Sequence, residues 1–386
     1  MKIAHIGDAH WGLGYPGPTP HARFADICRT MEWAAQRIKD ERCDLVLFAG
    51  DAFKDSRIFI DRASVELLEF VSWLRGIALS GVRAVVISGT PSHDPPSAYP
   101  LIREMAPPVV AIITEPSVIR TGDLSIACFP GMNRSGLLTQ EEYRKLPPHV
   151  IHQTQTERIT EACRSMPADI LLAHLGYDLA DRGFEDVLMQ SEPVLTQEAV
   201  QGYSLVCLGH IHRPQQNGNV FYCGSPERLT FGDEGITPGF WIHEMEDGRL
   251  IASSFVETPA RRFVTIAFKQ SQIDYILDHG MASGLPIPHD VIGEAVVRVR
   301  YTCDEASAKR LDRRALERAL YEAGAWYVAE IRGDVQRVDR ARDKEVIESL
   351  GPVAAVSKWA QSQKIDDEEV LALQAMTEEL LQEVAI

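Results

Sequence analysis

The chain has 386 residues, of which 45% are hydrophobic and 24% are charged. This composition is ordinary for a soluble globular protein and excludes a disordered, collagen-like or fibrous chain. At about 150 residues per domain, the length predicts two or three domains. The net charge of -16 argues against a passive nucleic-acid coat, which needs many phosphate-neutralising lysines and arginines. An enzyme that acts on nucleic acid stays open, because a local basic patch or a bound cation can supply the attraction.

The sequence carries no sign of a membrane or secretion segment. No run approaches the roughly 18 consecutive apolar residues of a membrane span. The first residues, MKIAHIGDAH, lack an apolar signal core. The seven cysteines are scattered and none forms a CxxC pair, so neither a zinc knuckle nor a disulfide framework is indicated. We therefore expect a cytoplasmic protein without a membrane segment.

Short apolar runs alternate with polar or glycine-rich segments and helical stretches up to about residue 258. The five clearest predicted strands are Lys2–Ile6, Asp44–Ala49, Arg83–Ser88, Asp169–Ala173 and Ser204–Leu208. Further strands are predicted near Val109–Thr114, Ser125–Phe129, Val220–Cys223 and Gly239–Glu244. Helices are predicted at Arg23–Arg42, Asp61–Ser80 and Ile151–Arg164. This alternation predicts an α/β fold arranged as a layered sandwich.

The pattern changes near the segment TPARR at residues 258–262. From Phe263 to about Asp334, the order strand, helix, strand, helix, strand predicts a small α+β domain. The remainder is charged and helical in character. Its segment Asp366–Ala385 opens with acidic residues suited to a helix N-terminus and carries apolar residues at spacings of three or four. That helix either packs on its own domain or binds a partner, and we predict three parts, residues 1–258, 259–334 and 335–386.

Aspartate or histidine directly follows each of the five clearest strands. The segments are Gly7-Asp8-Ala9-His10, Gly50-Asp51, Gly89-Thr90-Pro91-Ser92-His93-Asp94, His174-Leu175-Gly176 and Gly209-His210-Ile211-His212. Each segment alone is more typical of an ordinary turn or helix cap. In open α/β sheets, however, the ligand crevice lies outside the carboxyl ends of the strands. Five such ends in one chain therefore predict that these side chains converge on one site.

Aspartate and imidazole are ligands suited to manganese, iron or zinc. One aspartate could bridge two ions about 3.5–4 Å apart, the spacing used in the hydrolysis of phosphoesters. Without cations, so many carboxylates and histidines would be costly to desolvate. The pattern therefore predicts a metal site. His5 lies inside the first predicted strand, and we interpret it as a hydrogen-bonded core histidine rather than a ligand.

The order of these motifs resembles the calcineurin-like metallophosphoesterases and, within them, the SbcD-type nuclease subunits of double-strand-break repair. The resemblance covers roughly residues 1–335 in arrangement and includes the segment YCGSPER at residues 222–228. It implies a metallophosphoesterase β-sandwich flanked by helices. The small α+β domain at residues 259–334 is then the capping domain, followed by a helical C-terminal tail.

The resemblance also implies a role for each motif residue. The ligands of one metal would be Asp8, His10, Asp51 and His212. The ligands of the second would be His174, His210 and the bridging Asp51. His93 would be the catalytic histidine, which stabilises the transition state and assists the leaving group. The implied cofactors are two divalent ions, which in such families are typically manganese, and the implied substrates are DNA ends or single strands.

The third motif departs from the family pattern, which has Gly-Asn-His with the asparagine on the second metal. Here no asparagine is present, and the hydroxyl of Thr90 or Ser92, or a water, is left to fill the place. A neutral hydroxyl is a weak ligand. The departure therefore leaves the affinity for the second ion open.

Five arginines near the motif loops are candidates for phosphate contacts, namely Arg57, Arg62, Arg134, Arg213 and Arg228. The turn Gly224-Ser225-Pro226 brings Arg228 either towards the site or into an internal ion pair. The sequence leaves both possibilities open.

The resemblance implies three kinds of partner. These are DNA, an SMC-like ATPase subunit of the SbcC type that docks partly through residues 335–386, and a second copy of the nuclease domain. The leading hypothesis is a metal-dependent DNA exonuclease or endonuclease in repair or recombination. One alternative is the hydrolysis of a nucleotide or another small phosphodiester. The other is a scaffold that tethers DNA ends and has a weakened metal site.

Overall fold

The computed structural model describes residues 1–55, 64–132, 136–183, 193–281, 285–287, 289–336 and 351–384. Its strands in the first half of the chain are β1 (Lys2–Ile6), β2 (Leu45–Phe48), β3 (Arg83–Ile87), β4 (Val110–Ile113), β5 (Ser117–Thr121), β6 (Leu124–Phe129), β7 (Ile170–His174), β8 (Gly176–Tyr177) and β9 (Val194–Leu195). The later strands are β10 (Leu205–Gly209), β11 (Gln215–Asn217), β12 (Val220–Tyr222), β13 (Gly239–Glu246), β14 (Arg249–Glu257), β15 (Phe263–Phe268), β16 (Val296–Asp304) and β17 (Tyr327–Gln336).

The helices of the described residues flank these strands. Those before residue 201 are α1 (Pro20–Asp40), α2 (Ser64–Leu79), α3 (Ala98–Met105), α4 (Gln140–Lys145), α5 (Pro148–Ser165) and α6 (Gln197–Val200). The later helices are α7 (Gln270–His279), α8 (His289–Ile292), α9 (Glu305–Arg310), α10 (Arg313–Glu322), α11 (Pro352–Ser362) and α12 (Asp367–Val384). None of the helices in these ranges combines the length and apolar composition that a bilayer span needs.

Two six-stranded sheets carry the motifs found in the sequence. The strand order of the first sheet is β14-β13-β1-β2-β3-β4, and that of the second is β11-β12-β10-β7-β6-β5. Strands β1 to β4 run parallel, as do β6, β7, β10 and β12. Every motif-bearing strand therefore lies in the parallel part of one sheet or the other. The predicted layered α/β fold is confirmed.

The two sheets pack face to face and bury an apolar layer between them. The layer includes Leu47, Val85, Leu172, Cys207 and Phe221, all at most 2% exposed. The outer faces of the sheets carry separate apolar clusters with the helices. Because both faces of the parallel strands are covered, these strands read as continuous apolar runs in the sequence.

The first helix begins three residues before its predicted start at Arg23. The Thr19 side chain accepts a hydrogen bond from the Ala22 N–H, and Pro20 occupies the first turn, where its missing N–H costs nothing. The helix predicted at 151–164 similarly extends over Pro148–Ser165. The helix predicted at 61–80 is described from Ser64 to Leu79, and its first three predicted residues lie outside the described ranges.

A third sheet, of order β15-β16-β17, contains the three strands predicted after Phe263. The chain divides into two compact units, and the division passes through these strands. The first unit comprises Met1–Ile266, Gly284–Val299 and Arg314–Ile331, and the second comprises Ala267–Ser283, Arg300–Arg313 and Arg332–Ile386. The predicted division into residues 1–258, 259–334 and 335–386 is not tested by this and stays a prediction.

The second unit contains a pair of C-terminal helices, α11 and α12. The Gln374 side chain donates to the Ser357 hydroxyl over 2.6 Å and joins the two helices. The helix predicted at Asp366–Ala385 is found at Asp367–Val384. Asp366 precedes it and accepts hydrogen bonds from the N–H groups of Glu368 and Glu369, each over 3.0 Å. The acidic start of this segment therefore works as an N-terminal cap.

Candidate metal centre

The structure brings all seven predicted Asp and His residues together at the carboxyl ends of the parallel strands. Their ligand atoms form three overlapping groups, each within 4.8 Å: Asp8, His10 and His212; His10, Asp51 and His93; Asp51, His174 and His210. Strands β1, β2 and β3 of one sheet and β7 and β10 of the other contribute these residues or the loops that carry them. The site therefore lies where the carboxyl ends of strands from the two sheets meet.

Asp51 is the residue that joins the groups. Its Oδ1 lies 3.2 Å from His174 Nε2, and its Oδ2 lies 3.9 Å from His10 Nε2. The Thr90 N–H also donates to Oδ1 over 2.7 Å and fixes the carboxylate plane. The side chain is nearly fully buried. Its two oxygens thus face two different sets of histidines, as a bridging ligand requires.

The second carboxylate, Asp8, is held by the neighbouring loop. The His210 N–H donates to both of its oxygens, over 3.0 and 3.1 Å. The Ser225 hydroxyl donates to the Asp8 carbonyl over 2.9 Å, and Cys223 Sγ lies 3.6 Å from Oδ2. Asp8 is fully buried, and its orientation is set by the backbone that directly follows β10.

Backbone carbonyls orient two of the histidines. His174 Nδ1 lies 2.7 Å from the Ala49 carbonyl, and His93 Nδ1 lies 2.6 Å from the Lys54 carbonyl. Because a carbonyl only accepts, each Nδ1 carries the hydrogen, and Nε2 faces the site in the neutral ring. The His10 and His212 Nε2 atoms lie 3.2 Å apart, which suits two nitrogens that bind one ion.

The loops after β1 and β2 are joined by backbone hydrogen bonds. Asp8 donates to the Gly50 carbonyl over 2.9 Å, His10 to the Asp51 carbonyl over 3.2 Å, and Trp11 to the Ala52 carbonyl over 2.7 Å. These three bonds fix the first and second motifs in one register. We call this the motif ladder.

Four of the site residues have left-handed backbones, which is uncommon for residues with a side chain. Asp8 and His10 have φ of 50°, Asp51 has φ of 48° and His210 has φ of 93°. This region costs roughly 1–2 kcal/mol for a residue other than glycine. Such strain collects at functional sites, where the surrounding structure holds it in place. Here it aims the donor side chains inward.

Glycines at the strand ends leave room for the donors. A Cβ on Gly89 would lie 2.0 Å from Asp51 Oδ1, and a Cβ on Gly50 would lie 2.6 Å from His174 Nδ1. Gly50 also has a φ of 90°. Any larger residue at either position would displace a donor atom.

Burial and neighbouring charges shift the pKa values of the donors in opposite directions. Burial raises the pKa of Asp8 to about 8, against the effect of His174. For Asp51, burial is outweighed by His174 and His10, which hold its pKa below the ordinary value. Burial alone would lower the pKa of His174, but the Asp51 carboxylate raises it to about 10. For His10 and His212, burial dominates and lowers the pKa.

The donor set fits two divalent cations. Asp8, His10 and His212 form one group, His174 and His210 form another, and Asp51 lies between them. Carboxylate oxygens and imidazole nitrogens suit ions such as manganese, iron or zinc. Packing these groups together is costly unless cations compensate for the lost solvation. The chemistry of the donors and their crowding therefore agree with a dinuclear site.

Residues 1–214, more than half of the chain, match the calcineurin-like phosphoesterase family. The chain belongs to this family. Membership supports a metal-dependent hydrolase of phosphoester bonds that uses divalent metals, and the predicted superfamily is confirmed.

Individual relatives of this phosphoesterase are distant in sequence. It is 24% identical over 270 residues to the SbcD component of the nuclease SbcCD of Bacillus subtilis (strain 168), a match that covers 64% of this chain and 67% of the relative. A solved dimetal phosphatase from Danio rerio is 11% identical with a TM-score of 0.38, over 67% of this chain and 97% of that chain. Another solved structure is 14% identical with a TM-score of 0.40, over 66% and 98% of the two chains.

The two hydroxyls considered as replacement ligands differ in position in the phosphoesterase. Thr90 Oγ1 lies 3.2 Å from His174 Nε2 and is half-buried. Ser92 is exposed to solvent. Thr90 is therefore the hydroxyl that lies beside the His174 donor.

Sequence reasoning gave no role to Asp94 and Tyr99, which support the third motif. Asp94 accepts hydrogen bonds from the Gly89 N–H over 2.6 Å, the Phe53 N–H over 3.1 Å and the Tyr99 hydroxyl over 2.5 Å. Burial raises the pKa of Asp94 to about 6. Asp94 thus pins the loop after β3 to the loop after β2. The sequence could have indicated a role for Asp94, because it directly follows His93 in the third motif, but no feature of the sequence indicates a role for Tyr99.

The arginines near the motif loops are only partly described. Arg57, Arg62 and Arg134 lie outside the described residues. Arg213 Nε lies 3.7 Å from the Asp181 carboxylate. The Arg228 guanidinium donates to the carbonyls of Arg261 and Ile236, over 3.2 and 3.0 Å. Of the two possibilities left open by the sequence, the Arg228 side chain thus follows the internal one, although its guanidinium is bound there by backbone carbonyls.

Proposed function

We propose that this phosphoesterase is a two-metal DNA nuclease of the SbcD type that belongs to a DNA repair or recombination complex. The observation that carries the proposal is the position of Asp51 between two histidine groups, with Asp8 on one side. DNA as the substrate is supported by the likeness to the SbcD component of the nuclease SbcCD of Bacillus subtilis.

Each motif residue has a proposed role in this activity. Asp8, His10 and His212 would hold one ion, His174 and His210 would hold the second, and Asp51 would be shared between them. The Thr90 hydroxyl, 3.2 Å from His174 Nε2, would be a further ligand of the second ion. Two divalent ions, which we propose to be Mn²⁺, would activate water and offset the charge on the phosphodiester during displacement.

His93 is the proposed catalytic residue. The Lys54 carbonyl holds its Nδ1–H, and its ring lies edge-on to His10 with centroids 4.8 Å apart. It is half-buried, whereas His10 is buried, so it lies at the rim where a phosphodiester enters. In the protonated ring, Nε2 can hydrogen-bond a phosphate oxygen and give its proton to the leaving oxygen.

The experiment compares digestion of linear duplex DNA by the full chain and its variants in the presence of Mn²⁺. Asp51→Ala should lose cleavage because it removes the bridging ligand. His93→Ala should retain the ions and lose about 10²–10⁴-fold in rate. The matched controls Asp123→Ala and His149→Ala change exposed residues and should cleave normally, with circular dichroism confirming that all four variants fold. Full activity in Asp51→Ala or His93→Ala would contradict the assigned roles.

Two further measurements test the alternatives. Faster turnover of a chromogenic phosphodiester than of DNA would favour a small-molecule phosphodiesterase. Binding of one Mn²⁺ per chain, together with DNA binding and no cleavage, would favour a tethering scaffold. Two bound ions and DNA cleavage are the results that we expect.

We also propose that the SMC-like ATPase partner docks on the helices α11 and α12. Large apolar side chains of these helices are 41–66% exposed, namely Trp359, Leu371, Met376, Leu380 and Leu381. Leu380→Asp should abolish co-purification with such an ATPase, and Glu379→Asp on the same helix should not. Homodimerisation of the nuclease domain is a second proposal, tested by sedimentation of the purified chain.

A further inference from the structure

A second group of metal-ligating side chains lies between the two large sheets. It consists of His5 on β1, His243 on β13 and Cys207 on β10. All three residues are fully buried, and their ligand atoms lie within 4.8 Å of one another. The histidines belong to one sheet and the cysteine to the other. None of the three has a role in the phosphoesterase centre. His5 is a buried, hydrogen-bonded core histidine, as its place in the first strand predicted. Its closeness to His243 and Cys207 makes it a candidate ligand as well, which the sequence interpretation had not expected.

Hydrogen bonds fix the outer nitrogens of both imidazoles. His5 Nε2 donates to the Leu208 carbonyl over 3.1 Å, so its Nδ1 carries a lone pair. His243 Nδ1 pairs with the Ser253 hydroxyl over 2.8 Å. Histidines that bind metals usually have such a partner on the ring nitrogen away from the ion. The inner nitrogens, His5 Nδ1 and His243 Nε2, are the ones that face each other.

The separation of the inner nitrogens suits a shared ion. They lie 3.5 Å apart, so that they make at most a long hydrogen bond when no ion is bound. Two nitrogens about 2.0–2.1 Å from one ion would reach this separation at an angle of roughly 115–120°. That angle is typical of three- or four-coordinate sites.

The surroundings keep both rings neutral. Burial lowers the pKa of His5 to about 3 and lowers the pKa of His243 well below its ordinary value. The Phe221 ring contacts His243 edge-on at 4.7 Å, and the Trp241 ring stacks beside it at 6.3 Å. The His5 Nδ1 lone pair is therefore available in an apolar enclosure, and His243 Nε2 offers a second lone pair in the tautomer whose Nδ1 donates to the Ser253 hydroxyl.

We propose that His5 Nδ1, His243 Nε2 and Cys207 Sγ bind one monovalent copper ion. Two imidazoles and a thiolate form a set softer than the Asp and His donors of the dinuclear site, and soft thiolate ligands select Cu⁺ or zinc. The single negative charge of the thiolate balances Cu⁺, so the complex is neutral and suits an apolar interior. Zn²⁺ with the same ligands would leave a buried positive charge. On binding, Cu⁺ replaces the thiol proton, which leaves to solvent.

The position indicates a structural role. His5 lies three residues before Asp8, and Cys207 lies three residues before His210. The ion would therefore connect the two sheets directly behind strands that carry donors of the dinuclear centre. Its presence is independent of phosphoester hydrolysis.

The test uses the full chain, expressed with added copper and purified without oxygen. Copper per chain is counted by elemental analysis, and X-ray absorption at the copper edge reports the ligands. We expect Cu⁺ with one sulfur and two nitrogen neighbours. The sulfur distinguishes this site from copper at the dinuclear centre, whose predicted ligands are Asp and His side chains.

Cys207→Ala should lose one copper per chain together with the sulfur signal. Cys128→Ala is the matched control, because Cys128 is also fully buried in the layer between the sheets. It should retain both. His243→Gln serves as a second variant if Cys207→Ala does not fold, and it should also lose the ion. Equal copper in Cys207→Ala and Cys128→Ala, absence of sulfur, or retention of zinc in place of copper would each overturn the proposal.

Discussion

The two aspartates of the metal centre share deep burial, but their pKa values shift in opposite directions. Burial raises the pKa of Asp8 to about 8 and so disfavours its negative charge when no cation is bound. Asp51 stays ionised because the neighbouring histidines outweigh its burial. The difference places the fixed negative charge on Asp51, the carboxylate between the two histidine groups. At the residue scale, the bridging position is therefore the one most strongly attractive to cations.

Thr90 offers the first prediction at this scale. Thr90→Asn should strengthen binding of the second Mn²⁺ about tenfold, the effect of about 1.4 kcal/mol, because an amide oxygen is a better ligand than a hydroxyl. Isothermal titration calorimetry measures both binding steps. Ser92→Asn, at the exposed hydroxyl of the same loop, should leave them unchanged. Unaltered affinity in Thr90→Asn would show that this side chain is not at the second ion.

The left-handed backbone of Asp51 gives the second prediction. In the absence of metal, Asp51→Gly should be about 1 kcal/mol more stable than Asp51→Ala, because glycine adopts positive φ without strain. Urea unfolding with a chelator measures the difference. Asp40, in helix α1, is the control, and there the alanine variant should be the more stable. The same order at both positions would contradict strain at Asp51.

At the scale of elements, a buried ion pair joins helix α1 to the segment after β14. Asp26 accepts hydrogen bonds from Arg261 Nε and Nη2, over 2.6 and 2.8 Å, and also pairs with Arg23 and Arg29. The Arg261 guanidinium lies 3.8 Å from the centre of the Trp326 ring. Asp26 is thus the centre of a network that joins α1 to later parts of the first compact unit.

This network predicts a pH-dependent stability. Burial raises the pKa of Asp26, but the hydrogen bonds from Arg261 and Arg29 outweigh it and lower the pKa overall. A carboxyl with a lowered pKa stabilises the fold above its unfolded value of about 3.9, and this stabilisation is lost as the pH falls through the folded value. Asp26→Asn should therefore cost about 3 kcal/mol at pH 7 and less below about pH 4.

Urea titrations of native chain and Asp26→Asn at both pH values measure this change. The exposed Asp40→Asn, on the same helix, should stay within about 0.5 kcal/mol of the native chain throughout. A constant cost of Asp26→Asn across the pH range would rule out the charge of Asp26 as the cause.

At the scale of the whole molecule, ion binding should stabilise the fold, because the donors come together only in the folded chain. A ligand at 100 times its Kd adds about 2.7 kcal/mol. Scanning calorimetry should therefore show a Tm several degrees higher with Mn²⁺ than with a chelator. Asp51→Ala, which removes the proposed bridging ligand of both ions, should lose most of this rise. An identical Tm with and without Mn²⁺ would contradict a site that forms on folding.

The sequence predicted much of this molecule because its main signals are local. Each parallel strand is covered on both faces and reads as an apolar run, and Asp8, Asp51 and His174 stand where such runs end. The pairing of strands distant in the chain and the packing of one sheet on the other are not local. The approach of His243 to His5 depends on the antiparallel pairing of β13 with β1. The approach of Thr90 rather than Ser92 to His174 depends on how the two sheets pack together. These contacts therefore needed the structure.

The motif ladder has a consequence for how this centre can be altered. Since Asp8, His10 and Trp11 are bonded to the carbonyls of Gly50, Asp51 and Ala52, neither segment can change length or course alone. A chimera that takes only one of them from a relative would disturb these hydrogen bonds, and its Asp and His side chains would no longer be aligned with those of the other segment. The two segments behave as a single transplantable part, although more than 30 residues of chain separate them in the sequence.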